Sequence, residues 1–325
     1  MKASIHEKYG PPNVLKYIDW KKPKPKAKEV LIKLTSCTVN RTDCAMLRAQ
    51  PFIMRFLTGL TKPKNPILGT DFAGVIEQIG SEVTKFKEGD RVFGFDDIGV
   101  SSHAEYMCYS ENLAIRKIPS NVGFDQAVGI IEGAHYARNF INKTALKDGD
   151  RVLINGASGA IGIAALQLCL FHGAKVTAVV GTKNIDLIKS FGVEKIINYE
   201  SDDFTKTKSR FEFVFDTVGK STFGQCKQIL VEKGVYISSE LGPGAQNLFF
   251  TLSTKLFGRK KVLFPFPADK PGSVELVSKL LSNGQIKAII DRSYPPEEIQ
   301  KAFEYVETGQ KTGCVLLKFD RSPAN

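Results

Sequence analysis

Through the first third of the chain, apolar positions recur in short runs with strand character. Val30–Leu34 alternates across its two faces, Val75–Ile79 (VIEQI) forms another run, and Gly89-Asp90 leads into a third at Arg91–Phe95. Alternation of this kind marks half-buried strands, and the glycines and prolines between the runs predict frequent turns and few helices. Residues 1 to 122 therefore read as a β-rich barrel or sandwich. Lys21–Lys28 (KKPKPKAK) reads as an extended connector. Met46–Pro66 interrupts the pattern with Phe52, Ile53, Met54, Phe56 and Leu57. That segment is either a short helix plugging the core or a lid over a hydrophobic ligand.

From about Phe124 the period changes. Six candidate strands follow: Arg151–Asn155, Lys175–Val180, Lys195–Asn198, Phe211–Phe215, Gly234–Ser238 and Lys261–Phe264. Helical patterns lie between them at Ile161–Phe171, Asn184–Phe191 and Thr222–Val231. Strands alternating with helical crossovers predict an α/β fold with a doubly wound parallel six-stranded sheet, whose ligand sits at the carboxyl ends of the strands. After Phe264 the pattern returns to the first domain, with helices at Gly272–Asn283 and Pro296–Thr308 and a last strand at Gly313–Phe319. The expected division is 1–122 with 265–325, and 123–264.

The first chemistry lies in Arg151–Gly162 (RVLINGASGAIG), a strand, a glycine turn and an apolar helix. This context gives meaning to a G-x-G-x-x-G fingerprint, in which backbone N–H groups and a positive helix end meet a pyrophosphate. Ala157 stands at the first glycine's place, while Gly159 and Gly162 hold the second and third. An NAD site wants an acidic residue after the second strand, roughly twenty positions beyond the glycines. Here Gly181 stands there instead, followed by Thr182 and Lys183, which can donate to a 2′-phosphate. NADPH is therefore favoured over NADH. Tyr199, ending the third strand, is placed to pack beside the adenosine.

Composition narrows the classes. The 325 residues suffice for two domains. No apolar run is long enough for a bilayer, and the start (MKASIHEKYG) lacks the apolar core of a signal peptide. Six cysteines are scattered without a C-x-x-C pair, which fits free thiols in a reducing cytoplasm. The net charge of +11 comes in short clusters without interleaved aromatics, so a lysine-rich surface explains it better than nucleic-acid binding.

A series of motifs in order now carries a resemblance. Tyr9–Pro12 (YGPP), Val39–Asp43 (VNRTD), Gly69–Gly74 (GTDFAG), Gly80–Val83 (GSEV), Gly89–Gly94 (GDRVFG), the glycine turn and Lys311–Leu316 (KTGCVL) span nearly the whole chain. They resemble the zinc-independent quinone oxidoreductase branch of the medium-chain dehydrogenase/reductase superfamily. The resemblance implies a GroES-like catalytic domain plus a Rossmann domain, and a family that is often dimeric. Leu248–Phe257 is apolar enough for a subunit boundary, or to cover its own sheet. The resemblance also implies that Asn40 lies near the nicotinamide ribose or substrate, the alternative being a turn asparagine bonded to its own backbone. Ser158, Gly159, Ala160 and Ile161 would face the pyrophosphate, Val218 and Gly219 would form a wall near the nicotinamide, and Leu241 and Gly242 would approach its carboxamide. His135 stands where relatives usually carry threonine, and is either a catalytic or cofactor-facing group or a packed core histidine.

Zinc-dependent members of that superfamily use cysteine, histidine or glutamate, and cysteine as ligands. Asn40, Thr70 and Glu132 or Gly133 fall at those places here, a poor set for Zn²⁺, so no metal is expected. The expected activity is NADPH-dependent hydride delivery to a hydrophobic electrophile: a quinone, or the activated C=C of an α,β-unsaturated carbonyl. Competing readings are an alcohol or aldehyde dehydrogenase, and a non-catalytic NADPH-binding, RNA-associated protein.

Overall fold

In the computed structural model, which describes residues 1–52, 54–257 and 259–319, the chain divides into two units. One is Met1–Glu132 with Asp269–Asn325, the other Gly133–Ala268.

The first unit opens with β1 (Lys2–Ile5) and β2 (Lys16–Asp19), an antiparallel pair. The chain continues through β3 (Glu29–Val39), α1 (Arg41–Arg48), α2 (Met54–Thr58), β4 (Asp71–Ile79), β5 (Arg91–Phe95), β6 (Tyr106–Ser110), β7 (Ile115–Lys117) and α3 (Phe124–Thr144), whose residues from Gly133 onward are counted with the second unit. β3 is the hub of this unit: it pairs antiparallel with β4 and with β6. It runs five residues further than its apolar alternation suggests, because Ser36 and Thr38 are polar yet buried. Thr38 tolerates that burial by donating from both its N–H and its hydroxyl to Asp71, at 2.7 and 2.5 Å. Val30, Ile32 and Leu34 pack with Phe72, Ile76 and Val92 in the core of the sheet.

The second unit is a run of β–α steps. It comprises β8 (Arg151–Asn155), α4 (Ala160–Phe171), β9 (Lys175–Val180), α5 (Ile185–Lys189), β10 (Lys195–Asn198), β11 (Phe211–Asp216), α6 (Phe223–Cys226), β12 (Leu230–Ser238), α7 (Gln246–Phe257) and β13 (Lys261–Leu263). All pairings are parallel, in the order β10-β9-β8-β11-β12-β13. Val152, Leu153 and Ile154 are wholly buried, as a strand covered on both faces requires. The strand order reverses direction between β8 and β11, and that is where such sheets open a ligand crevice.

The chain then returns to the first unit with α8 (Lys270–Ser282), β14 (Ile290–Tyr294), α9 (Ile299–Glu307) and β15 (Cys314–Lys318). β15 pairs antiparallel with β3 and parallel with β14, extending the first sheet to seven strands. Phe303 of α9 packs with Leu47 of α1 and with Val315 and Leu317.

Several sequence expectations change. The helix expected over Thr222–Val231 stops at Cys226, gives one 3-10 turn at Lys227–Ile229, and yields to β12. The cause is pairing: Leu230 registers with Phe211, and a bulge follows where Lys233 takes φ +66°. The helices expected at Asn184 and Pro296 each begin as 3-10 turns, Thr182–Asn184 and Pro296–Glu298. Met46–Pro66 is not one unit: Met46 and Leu47 of α1 are buried in the core and Met54 packs against it, while Phe52 and Phe56 are exposed. Ile53 and the Leu57 side chain lie outside the described residues, as do the side chains of Lys255–Phe257.

α4 reaches the sheet through glycine. An ideal Cβ on Gly162 would stand 2.1 Å from Gly156 O and 2.7 Å from Ala157 Cα, both backbone atoms that cannot give way. Gly162→Ala is therefore expected to lose about 2–4 kcal/mol in denaturant unfolding. Gly159→Ala, whose Cβ would meet nothing closer than 3.5 Å, should lose no more than about 1 kcal/mol. Equal losses would remove the close approach as the reason for glycine at position 162.

Candidate functional site

β8 ends at Asn155 and turns on Gly156, whose φ of +79° suits glycine. A Cβ there would also strike Val218 Cγ1 at 2.4 Å, so Gly156 and Val218 are in close contact. The first indispensable glycine of the turn is thus Gly156, and Ala157 is a wholly buried packing residue. Ser158 lies in the turn, and Gly159 caps α4 without a side-chain hydrogen bond. Ala160 and Ile161 form the first turn of α4, where N–H groups have no partner within the helix. Gly133 of α3 closes on the same turn: a Cβ there would lie 2.4 Å from Ala160 O.

At the end of β9, a Cβ on Gly181 would meet Tyr199 Oη at 2.8 Å and Glu200 Oε1 at 2.6 Å. The structure thus brings Gly181, Thr182 and Tyr199 together and adds Glu200, which sequence reasoning missed. Tyr199 is largely exposed. Lys183 belongs to the 3-10 turn that begins at Thr182.

The loop after β11 is organised by Asp216, another residue the sequence reading passed over. Its buried carboxylate accepts from Asn155 Nδ2 (3.1 Å), from the backbone N–H groups of Val218, Gly219 and Ser221, and from Ser221 Oγ (2.8 Å) and Tyr236 Oη (3.0 Å). Thr217 Oγ1 donates to Asn155 O at 2.8 Å, tying this loop to the glycine turn. After β12, buried Asn247 holds the loop of Leu241 and Gly242: its Nδ2 donates to Glu240 O and its N–H to Leu241 O. His135 is completely buried on α3, with its ring edge-to-face against Tyr136 and its carbonyl accepting from Asn139 Nδ2.

In the first unit, Asn40 is the N-cap of α1. Its Oδ1 accepts from Asp43 N at 3.0 Å while Asp43 Oδ2 accepts from Asn40 N at 3.1 Å, a reciprocal capping box. Asn40 Nδ2 donates to Thr70 Oγ1 at 2.7 Å and to Thr38 Oγ1 at 3.2 Å. Thr42 Oγ1 donates to Glu132 Oε1 at 3.1 Å. Burial raises the Asp71 carboxyl to about 7 against the pull of its Thr38 hydrogen bonds. Burial, with the Asp71 charge added, raises Glu132 to about 7 as well. Asp43 is also pushed well up by burial, and His103, which meets Thr38 O at 2.9 Å, is pushed down to about 4.

The alcohol dehydrogenase GroES-like domain family matches residues 26–115, and the zinc-binding dehydrogenase family matches residues 191–317. A chloroplastic quinone-oxidoreductase homolog of Spinacia oleracea is 28% identical over 95% of both chains. The solved structure of the quinone oxidoreductase from Coxiella burnetii superposes with a TM-score of 0.88 at 27% identity, covering 98% of this chain and 99% of that one. The chain belongs to the medium-chain dehydrogenase/reductase superfamily. Its GroES-like and Rossmann parts are those of the superfamily, and its glycine cradle fits a nicotinamide dinucleotide. A chloroplastic NADPH-dependent alkenal/one oxidoreductase of Arabidopsis thaliana is 26% identical, over 98% of this chain and 79% of its own length.

One of the matched families is named for zinc, so the donors at the corresponding places matter. Asn40 turns its amide N–H groups, not its oxygen, toward Thr70, and the Thr70 hydroxyl accepts from it. Among the described residues no three His, Cys, Asp or Glu groups converge to hold a metal. These residues do not fit Zn²⁺.

The buried carboxyls predict a pH dependence. Glu132 ionises near 7 when folded and near 4.5 otherwise, so the folded state holds the extra proton between those values. Its contribution to stability is then fullest below about pH 4.5 and falls as pH rises to about 7. Glu132→Gln should flatten the fall in thermal stability across this window, by about 3 kcal/mol at most. Part of the slope should persist through Asp71. An unchanged slope would show that Glu132 titrates as a solvated group.

Proposed function

We propose that the chain is a metal-independent oxidoreductase that takes hydride from NADPH and delivers it to quinones or to the activated C=C of α,β-unsaturated carbonyls. The observation that carries this reading is the glycine cradle at Gly156, Gly159 and Gly162, set at the reversal point of a six-stranded parallel sheet. Similarity to the spinach homolog and to the Arabidopsis alkenal/one oxidoreductase supports the acceptor class.

Residues 1–122 with 265–325 are assigned to the substrate and 123–264 to the cofactor. Ser158, Gly159, Ala160 and Ile161 would hold the pyrophosphate through the first turn of α4. Gly181, Thr182, Lys183 and Tyr199 would surround the adenosine ribose, with the Lys183 charge favouring a 2′-phosphate. Val218, Gly219, Leu241 and Gly242 would line the nicotinamide end, on loops held by Asp216 and Asn247. When bound, the reduced nicotinamide supplies the hydride. A quinone or enone accepts it without a Lewis acid, since reduction at the β-carbon leaves charge on an enolate or phenolate oxygen. Asn40 and His135 are 2% and 0% exposed, so we assign both to positioning. Asn40 fixes Thr70 and the start of α1, and His135 supports α3.

A homodimer and a cytoplasmic location belong to the same reading. Phe249 and Leu252 on α7 are 69% and 66% exposed, which favours a covered face. No helix among the described residues is long and apolar enough to cross a membrane.

Steady-state oxidation of NADPH with a panel of quinones and enones tests the reading. Turnover is expected with at least one acceptor, with kcat/KM higher for NADPH than for NADH, and chelators should leave it unchanged. Binding of NADPH without turnover of any electrophile would sink the assignment.

A further inference from the structure

Three residues close a hydrogen-bonded ring beside the end of β9. Asn198 Nδ2 donates to Thr182 Oγ1 (2.9 Å), Thr182 Oγ1 donates to Glu200 Oε2 (2.6 Å), and the Glu200 N–H donates to Asn198 Oδ1 (3.0 Å). A hydroxyl carries one proton, so the ring commits that of Thr182 to a carboxylate. The other oxygen, Glu200 Oε1, lies over Gly181, only 2.6 Å from where a Cβ would stand. The carboxylate missing from the end of β9 in sequence is therefore supplied in space from the end of β10.

We propose that Glu200 opposes the 2′-phosphate of NADPH and so narrows the preference of this chain for the phosphorylated cofactor. The proposal rests on the reading that the adenosine ribose lies at Gly181–Lys183. A phosphate there draws attraction from Lys183, but it must take the Thr182 proton from Glu200 and sit beside that negative charge. Like charges a few ångströms apart at an exposed site change affinity by roughly five- to tenfold. The carboxylate has no such quarrel with an unphosphorylated ribose.

The test is calorimetric titration of the whole protein with adenosine 2′,5′-bisphosphate and with AMP, for wild type and Glu200→Gln. Glutamine keeps an oxygen for the Thr182 hydroxyl and removes only the charge. The bisphosphate is expected to bind about five- to tenfold more tightly to the variant, with AMP unchanged within about twofold. Raising salt from about 50 mM to about 500 mM should shrink the gain, because the Debye length shortens to a few ångströms. NADPH and NADH binding, followed by nicotinamide fluorescence, should repeat the pattern. Bisphosphate affinity that does not rise overturns the role of Glu200, while wild-type AMP binding leaves the dinucleotide reading standing. Failure of wild type and variant to bind any of the four ligands overturns that reading and the proposal with it.

Discussion

The approach of α4 to the β8 turn is the contact on which the rest of the cofactor unit depends. A helix can bring its unpaired N–H groups to a strand's carboxyl end only if the two backbones nearly touch. Gly162 permits this against Gly156 O, and Gly133 permits the same against Ala160 O from α3. Three segments therefore converge with almost no side chain between them. The space kept free of side chains lies at Gly159, where an added Cβ would meet only one atom, at 3.5 Å. Packing makes the cradle, and the open face follows from what packing leaves out.

The loops around that cradle are set by buried polar groups. Asp216 gathers six donors from the end of β8, its own loop and β12, so a buried carboxylate is fully satisfied and three loop N–H groups are aimed at one point. The first unit uses the same logic at Asp71 and Asp43, which tie Thr38, Asn40 and Gly69 together. An amide and two hydroxyls bonded to one another form a rigid, weakly polar patch. Such a patch lacks the thiolate or imidazole that would grip a metal.

How much of this was legible in the sequence depended on whether the signal was local. The inner strands β8, β9 and β11 were legible because strands buried on both faces are short, continuous apolar runs. β3 was legible only to Leu34, since Ser36 and Thr38 break the pattern and their burial depends on Asp71, far along the chain. β12 was misread at its start because Leu230 and Val231 suit either element, and pairing with Phe211 decides between them. α1 was hidden behind the apolar residues of Met46–Pro66, although Asn40 and Asp43 carry a capping-box signature in plain view.

The same division holds for the site. The glycine turn is contiguous and so visible in the sequence, while the parts played by Gly156 and Ala157 within it emerge only from the φ of the one and the burial of the other. Asn40 holds two places at once: Oδ1 caps α1 while Nδ2 reaches Thr70, because an amide has both an acceptor and a donor end. Glu200 was illegible for the opposite reason. The rule for cofactor choice inspects the end of the second strand, yet a phosphate responds to every charge within a Debye length, whichever strand brings it. Because β10 lies beside β9, a residue 18 positions from Thr182 reaches its hydroxyl. Charge at a strand end is a property of the sheet edge, and must be summed over neighbouring strands.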